Sequence, residues 1–240
     1  MPRSSQPPHG SRAKVIAAIP CYNTELSIGN VVTSARKHVG RVLVVDDGSR
    51  DSTVEAAKAA GASVVSHGAN RGYGEAVKTC FQAAKADGTD ILVTIDGDGQ
   101  HNPEEIPLLL APLLRGEAQV VIGSRFLPGK VNIPRHRRFG ISVITWLFNF
   151  GSAMKVSDAQ SGFRAYSKEI IDTFFLSENG MSISIEILEK AKRRGAVIKE
   201  VPISCLYIRP SLNMKAIRHG LGVALSVVVI RLKSGGRSER

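Results

Sequence analysis

Two aspartates, one residue apart, follow a short apolar segment near the middle of the chain. Residues 91–95 carry aliphatic or β-branched side chains, which is typical of a buried strand. Carboxylates alternating with glycines come directly after it: Asp96, Gly97, Asp98 and Gly99. The strand must end where the carboxylates begin, and the carboxyl edge of an open α/β sheet is where ligands bind.

The side chains at this strand end are oxygen donors. Asp96, Asp98 and the amide of Gln100 offer hard ligands suited to Mg²⁺ or Mn²⁺, and a metal held there can bridge to a diphosphate. Because Gly97 and Gly99 lack a Cβ, the backbone can turn sharply and lie close to a bulky ligand. The pattern favours a metal and nucleotide site, and an ordinary acidic turn is the alternative.

The elements around this segment repeat a pattern of strand, polar loop and helix. Strands are predicted at residues 15–19, 42–45, 64–65, 91–95 and from 120. Helices are predicted near 28–35, 51–60 and 106–113, and residues 70–76 lead into a further helix that extends to about residue 86. Alternation of this kind predicts right-handed crossovers and an α/β fold with a largely parallel central sheet flanked by helices. Further on, we expect a helix at 141–150, a turn into a strand at 161–166, a helix at 183–191 and a strand at 198–208 broken by Pro202.

Length and composition indicate one globular domain with short appendages. The chain has 240 residues, of which 43% are hydrophobic, and it has no apolar stretch near the roughly 20 residues that span a bilayer. Residues 1–12 are rich in Ser, Pro and Arg and are predicted to be a disordered basic arm. The cysteines are three and widely spaced, which argues against disulfides and fits a reducing cytoplasm: Cys21, Cys80 and Cys205.

The net charge of +11 is concentrated at the chain ends and in one internal segment. Residues 118–157 contain no acid but six basic residues, namely Arg125, Lys130, Arg135, Arg137, Arg138 and Lys155. An anionic partner is expected there, either a phosphate-bearing lipid or a membrane surface, with a solvated basic loop as the alternative. No signature of a nucleic-acid-binding motif accompanies the charge, so nucleic acid is not predicted as a partner.

Two apolar segments next to basic residues could lie on a membrane surface. The helix at 141–150 follows the arginines at 135–138, and it is either a core helix or an interfacial one. Residues 221–230 are too short to span a bilayer and are flanked by Arg218, Arg231 and Lys233, so residues 211–240 are predicted to form a basic amphipathic segment.

Six motifs occur along the chain in a fixed order. They are Pro20-x-Tyr22-Asn23, Asp46-Asp47-Gly48-Ser49, Asn70-x-Gly72-x-Gly74, Asp96-x-Asp98-x-Gln100-His101-x-Pro103, Gly123-Ser124-Arg125-Phe126 and Ser161-Gly162-Phe163. This set resembles a family 2 glycosyltransferase with the GT-A nucleotide-diphospho-sugar transferase fold. Within that family it is similar to the dolichyl-phosphate and polyprenyl-phosphate hexosyltransferases, and residues 13–210 are predicted to be the GT-A domain.

The resemblance implies an inverting transfer of a hexose from GDP-mannose or UDP-glucose to a dolichyl or polyprenyl phosphate. It implies Mg²⁺ or Mn²⁺ as cofactor, a cytoplasmic protein associated peripherally with the cytoplasmic face of the membrane, and leaves open a membrane-anchoring subunit. A phosphate nucleophile is already ionised near neutral pH, so no general base is required and no catalytic histidine is expected. His101 is instead expected to cap the loop or pack there.

Residue roles follow from the same resemblance. Base and ribose would be surrounded by Pro20, Tyr22, Val45 and Asp47. Nucleotide and metal would be held by Asp96, Gly97, Asp98 and Gln100, with Asp98 and Gln100 as the direct ligands. The acceptor phosphate would meet Arg125 and Arg138, whose guanidinium groups pair well with phosphate oxygens and complete the catalytic set with Asp98.

The chain departs from the family pattern in two places. Asn23 is followed by Thr24, with Glu25 one place later than the family's acid, which puts the nucleotide contact there in doubt. The family's C-terminal loop over the diphosphate is echoed only loosely by residues 209–215, where Arg209 or Lys215 could take the diphosphate role or face a membrane.

Two other functions are compatible with parts of the sequence. A transferase acting on a saccharide acceptor would need a general base, for which Glu186 is the obvious late acid, although a helix-surface glutamate is the simpler interpretation of that residue. A non-catalytic nucleotide-binding module is the other alternative, and the intact Asp96-x-Asp98 pair argues against it.

Overall fold

The computed structural model describes residues 13–127, 133–150, 152 and 154–207. The predicted arm at 1–12, the segment at 211–240 and the two candidate diphosphate residues Arg209 and Lys215 lie outside the described residues. So the division of the chain at residues 13 and 210 stays a prediction.

One mixed sheet of seven strands organises the part of the chain that the structure describes. The strands are β1 Val15–Cys21, β2 Arg41–Asp46, β3 Ser63–Ser66, β4 Ile91–Thr94, β5 Val120–Ser124, β6 Arg164–Ser167 and β7 Ile198–Pro202. Their order across the sheet is β3-β2-β1-β4-β6-β5-β7. β6 runs antiparallel to β4 and β5, and every other pairing is parallel, so the predicted largely parallel sheet is confirmed.

Helices cover both faces of the sheet. They are α1 Glu25–Ala35, α2 Thr53–Ala59, α3 Tyr73–Ala86, α4 Ile106–Leu114, α5 Arg135–Asn149, α6 Lys168–Thr173 and α7 Ile183–Arg193, with a short 3-10 helix at Pro103–Glu105. Successive residues of β1 enter opposite core layers: Ile16 packs with α3 and α7, and Ala17 with α1 and α4. This two-sided burial explains why the central strands read as continuous apolar runs.

Two helices differ from the sequence prediction. α5 begins at Arg135, directly after Pro134, so the arginines predicted to precede the helix form its first turn. Positive charge in a first turn opposes the helix dipole and gives no start signal there. α6 was not predicted, because six residues are too few to show a helical period.

The chain after β7 returns to the carboxyl edge of the sheet. β7 ends at Pro202, where the strand was predicted to break. Cys205 then forms an antiparallel bridge with His101, and the main-chain N–H of Leu206 donates to the carbonyl oxygen of Gln100 at 2.8 Å. In the described ranges, no helix combines the length and the apolar character needed to cross a bilayer.

Candidate active site

The loops that follow β1, β2 and β4 meet at one edge of the sheet. Cys21 and Asp46, the last residues of β1 and β2, are register partners, and the N–H of Asp47 donates to the carbonyl oxygen of Cys21 at 2.9 Å. Two residues predicted to surround the nucleoside are buried partners across these strands, Pro20 and Val45. Tyr22, which follows β1, is 42% exposed, so its ring is available to a ligand.

Asp96 stands at the end of β4 and is half-buried. The hydroxyl of Tyr73 donates to its Oδ1 at 3.1 Å, and Nε2 of His101 lies 3.7 Å from its Oδ2. Burial raises the pKa of Asp96, although Tyr73 and two arginines oppose the shift. A Cβ on Gly162 would lie 2.4 Å from Oδ2, so any larger residue there would have to displace this carboxylate.

Asp98 and Gln100 lie on the exposed side of the same loop. Gln100 donates to Asp98 twice, from its main-chain N–H at 3.0 Å and from Nε2 at 2.5 Å. The Ser27 hydroxyl fixes the loop by donating to the carbonyl oxygen of Gly97 at 2.7 Å. Desolvation by the surrounding loop, followed by the nearby charge of Asp96, raises the pKa of Asp98.

The donor set at this loop fits Mg²⁺ or Mn²⁺. Asp96 and Asp98 are neighbouring carboxylates whose negative charges oppose each other, and a divalent cation would relieve that repulsion. No cluster of three or more His, Cys, Asp or Glu ligands exists among the described residues. Two carboxylates and an amide are enough for Mg²⁺, which keeps several waters and takes its remaining ligands from substrate phosphates.

The side chain of Asp47 holds the loop that precedes α3. It is 3% exposed, and its Oδ1 accepts from Nδ1 of His67 at 2.8 Å and from the N–H of Arg71 at 2.9 Å, while its Oδ2 accepts from the N–H of Gly72 at 2.8 Å. A carboxylate accepts about four hydrogen bonds, so little capacity remains for a base or ribose. The nucleotide contact of Asp47 stays a prediction, and the loop anchoring was not foreseen.

Arg125 forms a buried ion pair with Asp158, which the sequence did not predict. Its Nε and Nη2 donate to Oδ2 and Oδ1 of Asp158 at 2.7 and 2.9 Å, and its side chain is 11% exposed. Burial alone would lower the pKa of Arg125, but the paired carboxylate raises it. The contact of Arg125 with the acceptor phosphate stays a prediction, and two of its donors hold Asp158, the first acid after the acid-free segment.

In α5, the arginine that contacts a candidate metal ligand is Arg137 and not Arg138. Arg137 donates from Nη1 to Oε1 of Gln100 at 3.3 Å, and its guanidinium lies 5.2 Å from the centre of the Tyr207 ring. Arg138, the residue chosen from the sequence, is exposed. Its contact with the acceptor stays a prediction. The sequence did not single out Arg137, because three arginines within four positions give no sign of which one faces inward.

His101 is a packed side chain, which is one of the two roles expected for it from the sequence. It is 5% exposed, and its ring lies 5.6 Å from that of Phe163. Burial, and then the nearby charge of Arg125, lowers the pKa of His101 to about 4, so the ring is neutral at neutral pH.

Glu186 corrects an expectation. It was interpreted as a helix-surface glutamate, but it is 4% exposed in the first turn of α7. Its carboxylate accepts hydrogen bonds from the main chain of Ser177 and Glu178, so its oxygens already bind donors within the protein.

Comparison with known proteins identifies the family. The model of "Glycosyl transferase family 2" matches residues 16–175, which is more than half of the chain. This chain belongs to glycosyl transferase family 2, and it is a glycosyltransferase with a GT-A fold.

Several relatives and solved structures are similar to most of the chain. A Methanococcus voltae UDP-N-acetylglucosamine–dolichyl-phosphate N-acetylglucosaminyltransferase is 32% identical, covering 81% of this chain and 86% of its own length. An undecaprenyl-phosphate mannosyltransferase of Micrococcus luteus is also 32% identical, with coverages of 80% and 83%. Glucosyl-3-phosphoglycerate synthase of Mycobacterium tuberculosis, solved with Mn²⁺, UDP and phosphoglyceric acid, is 25% identical with a TM-score of 0.75, covering 91% of this chain and 78% of its own.

The buried pair of Arg125 and Asp158 gives a prediction for stability. Asp158→Ala would leave a buried guanidinium without its counter-charge, so we expect the free energy of unfolding to fall by about 3 to 5 kcal/mol. Chemical denaturation measures this loss. Asp172→Ala is the matched control, because Asp172 forms an exposed pair with Lys168 at 3.3 Å and its loss is expected to cost less than about 1 kcal/mol. Equal losses in the two variants would contradict the assignment of Arg125 to Asp158.

Proposed function

We propose that this glycosyltransferase moves a sugar from a nucleoside diphosphate sugar to a dolichyl or polyprenyl phosphate, with inversion at the anomeric carbon. The observation that carries the proposal is the set formed by Asp96, Asp98 and Gln100 at the sheet edge, with the guanidinium of Arg137 beside it. Relatives named for dolichyl-phosphate and undecaprenyl-phosphate acceptors support the choice of acceptor. GDP-mannose and UDP-glucose are the proposed donors, and the name of the Methanococcus relative adds UDP-N-acetylglucosamine as a donor to be tested.

The residues of the edge have distinct parts in the reaction. Asp98 and Gln100 would hold Mg²⁺ or Mn²⁺, and Asp96, fixed by Tyr73, would complete the set. When bound, the metal supplies positive charge to the diphosphate as it leaves. Neighbours solved with Mn²⁺ or Mg²⁺ and UDP support this choice of cofactor.

Arg137 contacts this set through Gln100 and forms no ion pair with another of the described residues. Its hydrogen bond is to the neutral amide of Gln100, so its guanidinium can turn to a phosphate without breaking an ion pair. An acceptor phosphate needs no general base, because its oxygen is ionised near neutral pH. The arginine's task is then to orient that oxygen toward the anomeric carbon.

Transfer to a saccharide acceptor is not favoured. A hydroxyl nucleophile needs a base within hydrogen-bond reach, and Glu186 is the base that the sequence offered. Its carboxylate is instead saturated by main-chain and side-chain donors, and Lys190 binds it at 2.7 Å.

The exposed face of α5 supports peripheral contact with a membrane. Phe139 and Trp146 of α5 and Phe150, the residue directly after it, are 73%, 61% and 65% exposed and recur at helical spacing, whereas Ile144 and Phe148 on the other side are buried. The two interpretations of this helix therefore each describe one of its faces. We place the contact at the cytoplasmic face, and an anchoring subunit is the alternative if α5 does not bind lipid.

The first prediction that follows from the proposed function concerns the transfer reaction. Asp98→Asn removes the ligand's charge at nearly constant volume, so we expect transfer to fall by about 100-fold or more, corresponding to roughly 2.7 kcal/mol of transition-state stabilisation. The assay offers labelled nucleotide sugars singly with polyprenyl phosphate and Mn²⁺, and extracts the lipid product. Asp172→Asn, a surface substitution on α6, is expected to keep normal activity. Near-normal turnover of Asp98→Asn at saturating Mn²⁺ would rule out the metal assignment.

The second prediction separates the two neighbouring arginines. Arg137→Ala should raise the KM for polyprenyl phosphate by about tenfold, because one charge-assisted contact to phosphate is lost, whereas Arg138→Ala should change it less. Initial rates over a range of acceptor concentrations, at saturating nucleotide sugar, give both values. The reverse order of the two effects would favour Arg138, the residue that the sequence alone suggested.

The third prediction uses Trp146, the only tryptophan of the chain. If α5 inserts its exposed face, anionic vesicles should shift the tryptophan emission to the blue at low salt, and rising salt should reverse the shift by screening the arginines. Phe139→Ser and Phe150→Ser should weaken vesicle binding, and Phe175→Ser is the control, since Phe175 is 80% exposed but lies outside α5. An unchanged emission spectrum together with no vesicle flotation would point to an anchoring subunit.

A further inference from the structure

The loop between α6 and α7, residues 174–182, is held by one buried carboxylate. Glu186 accepts the N–H of Ser177 at 2.9 and 3.0 Å with its two oxygens, the hydroxyl of Ser177 at 2.7 Å, and the N–H of Glu178 at 2.9 Å. Burial alone would raise the pKa of Glu186, but Lys190 and these donors outweigh it and lower the pKa. The carboxylate therefore stays ionised and gathers the loop around itself.

The other side of this loop lies against the first turn of α3. The carbonyl oxygen of Asn179 accepts the N–H of Gly74 at 3.0 Å, and Nζ of Lys78 binds Oδ1 of Asn179 at 2.5 Å and the carbonyl oxygen of Ser177 at 3.1 Å. The contact is close enough that a Cβ on Gly74 would lie 2.4 Å from the carbonyl carbon of Asn179. A displacement of the loop would therefore be felt directly by the first turn.

That turn of α3 carries a residue of the candidate active site. Tyr73 is its first residue and donates its hydroxyl to Asp96 at 3.1 Å, and the preceding residue, Gly72, is fixed from the opposite side by Asp47. The start of α3 is thus bound directly by Asp47 on one side, and on the other side by the loop that Glu186 holds. Glu186 is far along the chain and has no place in the reaction described above.

We propose that Glu186 is a positioning residue for the nucleotide-binding edge: it fixes the 174–182 loop, which holds the first turn of α3 and keeps the Tyr73 hydroxyl on Asp96. The inference rests on the proposed function, since it assigns Asp96 to the nucleotide and metal site. It differs from a purely structural role in what its loss would change: a structural acceptor would lower the free energy of unfolding without a selective rise in the KM for the nucleotide sugar.

The first test is a double-mutant cycle. Glu186→Gln replaces one acceptor oxygen by an NH₂ group that faces main-chain donors, so the loop should loosen. Tyr73→Phe removes the hydrogen bond to Asp96. Each variant is expected to raise the KM for the nucleotide sugar by about five- to tenfold, the effect of one lost hydrogen bond, with the acceptor KM unchanged. Because both act on the same contact, the double variant should be little worse than either single variant.

The second test measures the coupling between Glu186 and the start of α3 by hydrogen exchange, without an activity assay. Hydrogen exchange should become faster in Glu186→Gln at residues 177–179 and also at residues 72–76, the start of α3. Ile185→Val is the matched control: it shortens a buried side chain of the same helix, so it should destabilise the core without selective exchange at 72–76. If Glu186→Gln does not fold, Lys78→Met releases the loop from α3 at its other end and should give the same exchange pattern.

The outcomes separate the two proposals. Multiplicative effects in the double variant, or faster exchange confined to α7, would overturn the positioning role. Absence of transfer by the unmodified protein with every donor offered would overturn the proposed function alone, because the exchange experiment measures the link between Glu186 and α3 directly.

Discussion

Buried carboxylates that bind main-chain N–H groups hold the loops of the catalytic edge in place. A buried charge is costly unless donors meet it, and in this protein the donors come from loops distant in sequence. Asp47 binds the N–H groups of Arg71 and Gly72, Glu186 binds those of Ser177 and Glu178, and Glu200, which is only half-buried, binds those of Ser157 and Asp158. Each loop is therefore tied to a strand or a helix at a defined point.

The number of hydrogen bonds that each carboxylate accepts distinguishes the structural carboxylates from those that could still bind a ligand. Asp47 accepts three hydrogen bonds and Glu186 more, so both are close to saturation. Among the described residues, Asp96 accepts a hydrogen bond from Tyr73, and Asp98 accepts hydrogen bonds from Gln100 of its own loop. Their unused lone pairs, together with raised pKa values, make these two the carboxylates that gain most from a bound cation.

Local signals were enough to predict the parallel core and the position of the Asp96 loop. Strand ends, turns at glycines and helical periods can be recognised from residues that are close in sequence. β4 and the loop that follows it are the clearest case. The pairing of Arg125 with Asp158 spans 33 positions, and Lys78 binds Asn179 across 101. Such contacts depend on where β6 and α7 pack, which no local pattern encodes. Arg137 was missed for a related reason: a shift of one residue on a helix turns a side chain by about 100°, and only packing fixes that rotation.

α5 shows how that rotation combines three chemical functions in one element. Ile144 and Phe148 face the core and fix the helix axis, so Arg137 is directed to Gln100, while Phe139, Trp146 and Phe150 are left exposed. A polyprenyl phosphate has the matching division, an ionised head group joined to a long apolar chain. Because Arg137, which we propose meets the head group, and the exposed apolar side chains lie on one helix, an acceptor lying along that face would reach the candidate metal ligands only with its phosphate first. Packing of two core residues would therefore set the direction from which the nucleophile approaches.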